Sequence, residues 1–312
     1  MFLLSYSIIQ KQKGLYSSFI NIIIYGGFMK ERVTLTLNED LIKQLDKRID
    51  GKEIKNRSQE VEKILEDALG ISIPSKALIL AGGKGTRLRP LTYKIPKGLI
   101  DIQGKTITEW LFDLLKNYGI RDVVLSVGYL ADKMKDYFTD GSKFGVNIEY
   151  VEEKEPLGTA GPLRLAKDML TDSFIVSNGD ELKCINIPRM YRLHKRKNAL
   201  VTIALTSVDD PSQYGVARLD GSRILEFVEK PKKSEAPSNL INSGFYIIEP
   251  EVIEMIPKGK FCMLEKEIFP KLAKEGRLRG FPFSGQWMDT GNFERLERAR
   301  KTWKGIRIEE GE

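Results

Sequence analysis

From Arg32 to Leu37 polar and apolar residues alternate, the period of two that a half-buried strand shows. Asn38 then stands where a helix N-cap belongs, with Glu39 and Asp40 in an acidic first turn. Leu41, Ile42, Leu45 and Ile49 supply the apolar stripe of that helix, which Gly51 stops. Ser58, after Asn56-Arg57, is placed to cap a second helix, whose stripe is Val61, Ile64, Leu65, Ala68 and Leu69 and whose end is Gly70. Beyond a short linker, 71–75, apolar strands alternate with amphipathic helices. Strands are predicted over Lys76–Ala81, Asp122–Val127 and Phe174–Ser177, and a helix over Thr106–Lys116. Such alternation predicts an α/β domain over 76–312, a mostly parallel sheet with helices on both faces. In sheets of that kind ligands sit beyond the carboxyl ends of the strands.

Residues 1–28 follow neither pattern. They are rich in Ile, Phe, Tyr and Ser, and no acidic residue precedes Glu31. Their apolar runs are split by Gln10-Lys11-Gln12-Lys13 and are short of the ~20 residues that span a bilayer. They also lack the shape of a signal peptide. A start assigned too early, with Met29 the true one and Gly26-Gly27 reading a ribosome-binding tract, explains them. A disordered or loosely attached extension is the other reading. No membrane association is expected.

Composition narrows the chemistry. Of 312 residues 30% are charged, with a formal net charge of +7, which suits a protein that handles polyanions without singling one out. The two cysteines, Cys184 and Cys262, lie far apart with no CxxC spacing, which fits a reduced, cytoplasmic setting and no thiolate metal site. His194 is the only histidine and sits in a basic helical stretch, where it reads as a surface or packing residue.

The segment with chemical character follows the first strand of the large domain. Gly82-Gly83-Lys84-Gly85-Thr86-Arg87-Leu88-Arg89-Pro90 is glycine-rich, letting backbone N–H groups approach phosphate oxygens, and Arg87 adds a planar fork. Its spacing fits neither G-x-G-x-x-G nor the P-loop. Followed by Pro96-Lys97, however, it resembles the sugar-phosphate nucleotidyltransferases, or NDP-sugar pyrophosphorylases. The likeness continues in order through Leu157–Pro162, Asn178-Gly179-Asp180, Tyr214-Gly215-Val216, Glu229-Lys230-Pro231, Asn242-Ser243-Gly244 and Trp287-Met288-Asp289-Thr290-Gly291. Pro156–Pro162 looks most like the mannose-1-phosphate guanylyltransferases. Gly98 departs from the family, which has Pro or Ala after the Pro-Lys, and is expected to loosen the loop carrying Lys97. No hexapeptide repeats follow residue 300, so the acyltransferase tail of some relatives is not expected.

The resemblance implies a Rossmann-like domain and a division of labour. Leu80, Ala81, Gly82, Gly83, Gly85, Thr86, Gly158, Thr159 and Ala160 would hold the nucleotide. Gly179, Gly215, Glu229, Lys230 and Asn242 would hold the sugar phosphate. Arg87 would neutralise the departing pyrophosphate, Lys97 the α-phosphate, and Asp180 and Asp289 would hold Mg²⁺. A sugar phosphate is already an anionic nucleophile, so catalysis reduces to in-line positioning and charge cancellation. Glu153, five residues before Gly158, is implied to face the base. A carboxylate accepts a pair of hydrogen bonds from guanine N1–H and the 2-amino group, whereas uracil or thymine suits a glutamine. GTP is therefore favoured over UTP or dTTP, and Glu152 and Glu155 remain alternatives for the position.

The 29–70 segment resembles the ribbon-helix-helix family, which pairs strands from two chains and lays the polar strand face, here Arg32, Thr34 and Thr36, in the DNA major groove. A homodimer follows from that likeness, since a lone strand has no partner. DNA binding stays open: 30–70 holds nine basic and ten acidic residues, with a local basic cluster at Lys52, Lys55 and Arg57. A DNA-binding regulator that only senses sugar nucleotides would be expected to lose Arg87, Lys97, Asp180 and Asp289, and all four are present. A glycosyltransferase would need a DxD motif, which 137–141 and 208–211 do not supply.

Overall fold

The computed structural model describes residues 20–23, 32–49, 54, 56–69 and 73–307, and the chain divides into a unit ending at Leu69 and a second beginning at Gly70. Met29, Gly51, Gly70, Lys52 and Lys55 lie outside the described residues, as do most of positions 1–28.

In the first unit strand β1 (Ile20–Ile23) pairs antiparallel with β2 (Arg32–Leu35), and helices α1 (Glu39–Arg48) and α2 (Arg57–Leu69) follow. This corrects the expectation of a partnerless strand: Ile20 faces Leu35 and Ile23 faces Arg32 within one chain. With β1 as its partner, β2 needs no second chain to complete its pairing. Asn38 caps α1 as expected, its Oδ1 accepting from Leu41 N at 2.8 Å. For α2 the cap is Asn56 rather than Ser58, since Asn56 Oδ1 takes the Gln59 N–H at 3.0 Å and the helix starts two residues earlier than a Ser58 cap would set it. Leu45 and Val61 are buried with Leu35, Leu37 and Ile64 against them, whereas Leu41 and Leu65 of the predicted stripes are exposed. Thr34 and Thr36 are exposed, and Arg57 grips Asp46 through two 2.6 Å hydrogen bonds. That bidentate pair removes one cation from the supposed basic cluster.

The second unit opens with β3 (Lys76–Leu80), the short hairpin β4 (Asp101–Ile102) and β5 (Lys105–Thr106), and α3 (Ile107–Lys116). Then come β6 (Asp122–Val127), α4 (Ala131–Phe138), β7 (Asn147–Glu152), α5 (Gly161–Leu165), β8 (Phe174–Asn178), β9 (Glu181–Lys183) and α6 (Ile187–Arg196). The remainder is β10 (Val201–Ser207), β11 (Gly215–Asp220), β12 (Arg223–Glu229), β13 (Leu240–Ile248), α7 (Phe269–Lys274), β14 (Leu278–Pro282), β15 (Trp287–Asp289) and α8 (Phe293–Thr302). The three strands predicted at the front, β3, β6 and β8, pair parallel, and β7, which was not predicted, joins them parallel to β6, as helical crossovers require.

The nine-stranded sheet runs β10-β14-β12-β11-β13-β8-β3-β6-β7, and seven of its strands point the same way, with β12 and β13 against them. β13 lies antiparallel to both β8 and β10, and β11 and β12 form a hairpin turned at Gly221, where φ is +55°. A hairpin turn this short can only join antiparallel strands, so β12, like β13, runs against the other strands of the sheet. One core cluster, with Leu78, Phe174, Tyr246 and Phe269, and another, with Ile79, Phe112, Phe138 and Phe245, account for most of the burial.

His194 proves to be a packing residue, fully buried. Its Nε2 meets Glu249 at 3.1 Å and its Nδ1 meets Thr202 Oγ1 at 2.8 Å, tying α6 to the sheet. Glu249 also accepts from Ser173 Oγ at 2.8 Å and Lys195 Nζ at 3.0 Å. Burial raises the Glu249 carboxyl, but His194, Ser173 and Lys195 outweigh it and lower the pKa to about 2 from an ordinary 4.5. Glu249→Gln should cost about 1.5–3 kcal/mol in urea denaturation at neutral pH. Because the folded value is depressed, the deficit should be full above pH 4.5 and shrink as the pH falls toward 2. A deficit independent of pH would count against this cluster.

Candidate active site

The parallel strands deliver their carboxyl ends to one edge. Ala81 N donates to Ser126 O at 2.9 Å and Gly179 N to Leu80 O at 2.9 Å, which draws together the exits of β3, β6 and β8. Gly179 is buried with no room for a side chain, since a Cβ there would lie 2.8 Å from Leu80 O. Leu80 and Ala81 are half-buried, and Gly83, Thr86 and Arg87 are open to solvent in the turn that follows. Gly85 adopts φ +58°, and Thr92 Oγ1 closes the turn on Gly85 O at 2.8 Å.

Glu153, leaving β7, faces that turn, while Glu152 is paired with Lys135 and Glu155 is exposed. A Cβ on Gly82 would lie 2.6 Å from Glu153 Oε1, so the glycine is what lets the carboxylate approach. Ser126 Oγ donates to Oε1 at 3.1 Å and Leu157 N to Oε2 at 3.0 Å. Burial pushes the Glu153 carboxyl above its ordinary range, partly offset by those two donors. Two of its four lone-pair positions remain for a ligand. Leu157 to Ala160 is clamped on another segment: Cys262 N donates to Leu157 O, and Ala160 N to Cys262 O, both at 3.0 Å. Gly158, with φ +77°, passes so close that a Cβ would meet Cys262 O at 2.3 Å.

A two-stranded ribbon, β9 with β15, carries the carboxylates, Glu181 directly opposite Asp289. Thr290 Oγ1 donates to Asp180 O at 2.7 Å, so Asp180 and Asp289 are fixed at one end of it. Lys97, nearly buried, donates to Asp180 Oδ2 at 2.8 Å. Burial raises the Asp180 carboxyl, but Lys97, Lys183 and Arg87 together hold it below the ordinary range. Asp289 accepts from Tyr214 OH at 3.1 Å, from Gly291 N at 2.6 Å and from Arg295. The Arg87 guanidinium lies against Gly291, where a Cβ would be 3.0 Å from it. Gly98 does not loosen the Lys97 turn: it is buried, and a Cβ would meet Thr108 Oγ1 at 2.7 Å.

On the far side of the ribbon Gly215 pairs with Glu229, and a Cβ there would strike Phe227 at 2.4 Å and Glu229 Oε2 at 2.8 Å. Glu229 Oε2 is buried without a hydrogen-bond partner, while Oε1 is 3.4 Å from Lys230 Nζ. Lys230 is exposed and holds a left-handed φ of +49°, a strained conformation of the kind that accumulates at working sites. Asn242 is buried, its amide turned to Tyr246 OH at 2.8 Å and its oxygen to Gly244 N at 2.9 Å.

Sequence reasoning missed several residues here. Lys183 is buried yet charged, its ammonium donating to Ser243 O and Gly244 O at 2.9 Å and to Glu181 at 3.2 Å. Trp287 Nε1 adds a 3.1 Å bond to Glu181. Burial raises the Glu181 carboxyl to about 7, with Asp180 and Asp289 adding to it and Lys183 opposing. Lysine is so rarely buried that no sequence signal pointed to it. Arg295 and Glu265 stand in charged helical segments that read as solvated faces. A cavity of about 400 Å³ is lined by Thr206, Tyr214, Trp287, Asp289, Arg295 and Arg298.

Residues 76–304 match the profile described as nucleotidyl transferase. The chain is 43% identical over 222 residues to mannose-1-phosphate guanylyltransferase catalytic subunit beta of Xenopus tropicalis, covering 69% of this chain and 61% of that protein. It is 43% identical over 223 residues to mannose-1-phosphate guanyltransferase of Saccharomyces cerevisiae, with the same coverage of each. The chain thus spans 61% of the length of these relatives. Among solved structures, HddC from Yersinia pseudotuberculosis complexed with GMP-PN is 30% identical with a TM-score of 0.62, covering 74% of this chain and 100% of that one. No helix among the described residues is long and apolar enough to cross a membrane.

Lys183→Met tests the ion pair beneath the ribbon. Removing one partner of a buried pair leaves an uncompensated charge, and should lower unfolding free energy by about 3–5 kcal/mol. Adding Glu181→Gln should restore part of that loss. A loss under about 1 kcal/mol, the range of a surface pair, would show that the ammonium is not sealed from water.

Proposed function

Since this chain belongs to the nucleotidyl transferase family, we propose that it transfers the guanylyl group of GTP to mannose 1-phosphate, giving GDP-mannose and pyrophosphate. A phosphate oxygen of the sugar phosphate forms a bond to the α-phosphorus as the bond from that phosphorus to the bridging oxygen breaks. Pyrophosphate leaves with the electron pair. The observation that carries this reading is the meeting of the glycine-rich turn, Lys97 and the aspartates of the β9–β15 ribbon at one strand edge.

The roles follow from charge. Arg87 lies where the departing phosphates need compensation, and Lys97, already beside Asp180, is placed for the α-phosphate. The buried, unpartnered Glu229 Oε2 is an acceptor waiting for a sugar hydroxyl, with Lys230 beside it for the sugar phosphate. Asp180 and Asp289 make a hard oxygen set that suits Mg²⁺, and no three candidate ligands cluster among the described residues, so phosphate oxygens would complete the shell. When bound there, Mg²⁺ supplies neutralisation of phosphate charge.

Pyrophosphate release measured for GTP, UTP and dTTP against several sugar 1-phosphates tests the reading, with GTP and mannose 1-phosphate expected to lead. Asp180→Ala and Asp289→Ala should each cost at least ~10²–10³ in turnover, the usual weight of preorganised electrostatic stabilisation. Near-wild-type turnover would remove that aspartate from the site.

The base is read by the free lone pairs of Glu153, supported by the names of the relatives and by the nucleotide in the HddC crystals. Glu153→Gln should lower kcat/KM for GTP roughly ten- to hundredfold and improve the relative use of UTP or dTTP. An unchanged preference would mean that Glu153 serves only Ser126 and Leu157.

A further inference from the structure

The family likeness puts Thr159 at the nucleotide and Asn242 at the sugar phosphate, yet in the fold both side chains turn inward to one buried hydrogen-bonded chain. At one end Leu264 N donates to Thr159 Oγ1 at 2.9 Å, and the Thr159 hydroxyl donates to Glu265 Oε2 at 2.5 Å. At the other Asn242 donates to Tyr246 OH at 2.8 Å, and the Tyr246 hydroxyl donates to Glu265 Oε1 at 3.4 Å. Glu265 is 6% exposed and Tyr246 fully buried. Each hydroxyl has a single hydrogen, and both are spent on the same carboxylate. Only a group that accepts at both ends satisfies this pattern.

The two arms lead to different loops. Thr159 belongs to the segment clamped on Cys262 by two backbone bonds, which faces Glu153 and the glycine-rich turn. Asn242 fixes Gly244, whose left-handed backbone packs against Asn178 and Glu181, beside Lys183. Glu229, with its unpartnered oxygen, stands near enough to Glu265 and Tyr246 to act on both electrostatically. We propose that Glu265 is a positioning residue that links the nucleotide loop to the sugar-phosphate pocket, so that filling one site tightens the other. The inference rests on the functional assignment of those two loops. Glu265 need touch neither substrate: it sets the distance between Thr159 and Tyr246, and through them the geometry of the reacting groups.

The test is binding, with purified full-length protein. The affinity of a non-hydrolysable GTP analogue is measured by calorimetry with and without mannose 1-phosphate. The wild type should show tightening on the order of tenfold. In Glu265→Gln the amide offers one acceptor in place of two, leaving a buried hydroxyl hydrogen unsatisfied, and the tightening should collapse toward unity. Steady-state kinetics should then show raised KM for both substrates per folded enzyme, whereas a purely structural role would lower the melting temperature and leave both KM values and the tightening unchanged. Should Glu265→Gln fail to fold, Thr159→Val cuts one arm only and gives the same readout, with Thr159→Ser expected to restore coupling. Tightening that survives in the folded variant, or is absent from the wild type when both ligands bind, overturns the proposal. A wild type that binds neither ligand overturns instead the functional reading beneath it, and the proposal with it.

Discussion

Three carboxylates, Asp180, Glu181 and Asp289, gather at one short ribbon, and each is held by a cation, one from the ribbon itself and two from outside it. Lys97 reaches Asp180, Lys183 reaches Glu181, and Arg295 reaches Asp289. Without those partners the ribbon would gather negative charge in a partly buried setting, which is costly unless paired. The compensation also explains the surrounding architecture. Lys97 must come from a tight turn after β3, Lys183 must be swallowed by the backbone of Ser243 and Gly244, and Arg295 must sit in the first turns of α8. The site proposed for phosphates thus has its own acids paired before any ligand arrives, Asp180 held below its ordinary range while burial carries Glu181 up to about 7.

What could be read in the sequence was what local chemistry dictates. The first parallel strands followed from apolar runs bounded by turn residues, and the glycine-rich turn, Lys97, Asp180 and Asp289 followed from motifs. All of these meet at one edge. What escaped was set by contacts distant in the chain. Lys183 and Glu265 look like ordinary solvated charges, because nothing near them in sequence announces the strand or loop that buries them. The two reversed strands, β12 and β13, were hidden too, since a strand's pattern does not state the direction of its neighbour. Gly98 differs from its expected looseness for a related reason: its loop is tight because Thr108 and Met134 press on it, and neither is adjacent.

The N-terminal unit marks a different limit. Residues 20–69 lie outside the family match, which begins at residue 76, and its small core rests on Leu45 and Val61. Its helices were legible because caps and stripes are local signals. The partner of β2 was not, because β1 lies in a stretch that carries no alternation of its own. Charge balance there is nearly even, and Arg57 is already committed to Asp46.

The pairing of β9 with β15 sets Glu181 against Asp289, although most of the large sheet's second half is strung between them along the chain. A strand's side chains alternate faces, so a slip of one residue in this ribbon would turn Asp289 away from Asp180. The hairpins and helices in the intervening stretch carry no such condition. Over evolutionary time, insertions and deletions can therefore accumulate in the loops between the two ribbon strands while the ribbon itself keeps its length. Homologous chains should differ in size between these strands far more than within them, and grafted loops should be tolerated in the same places.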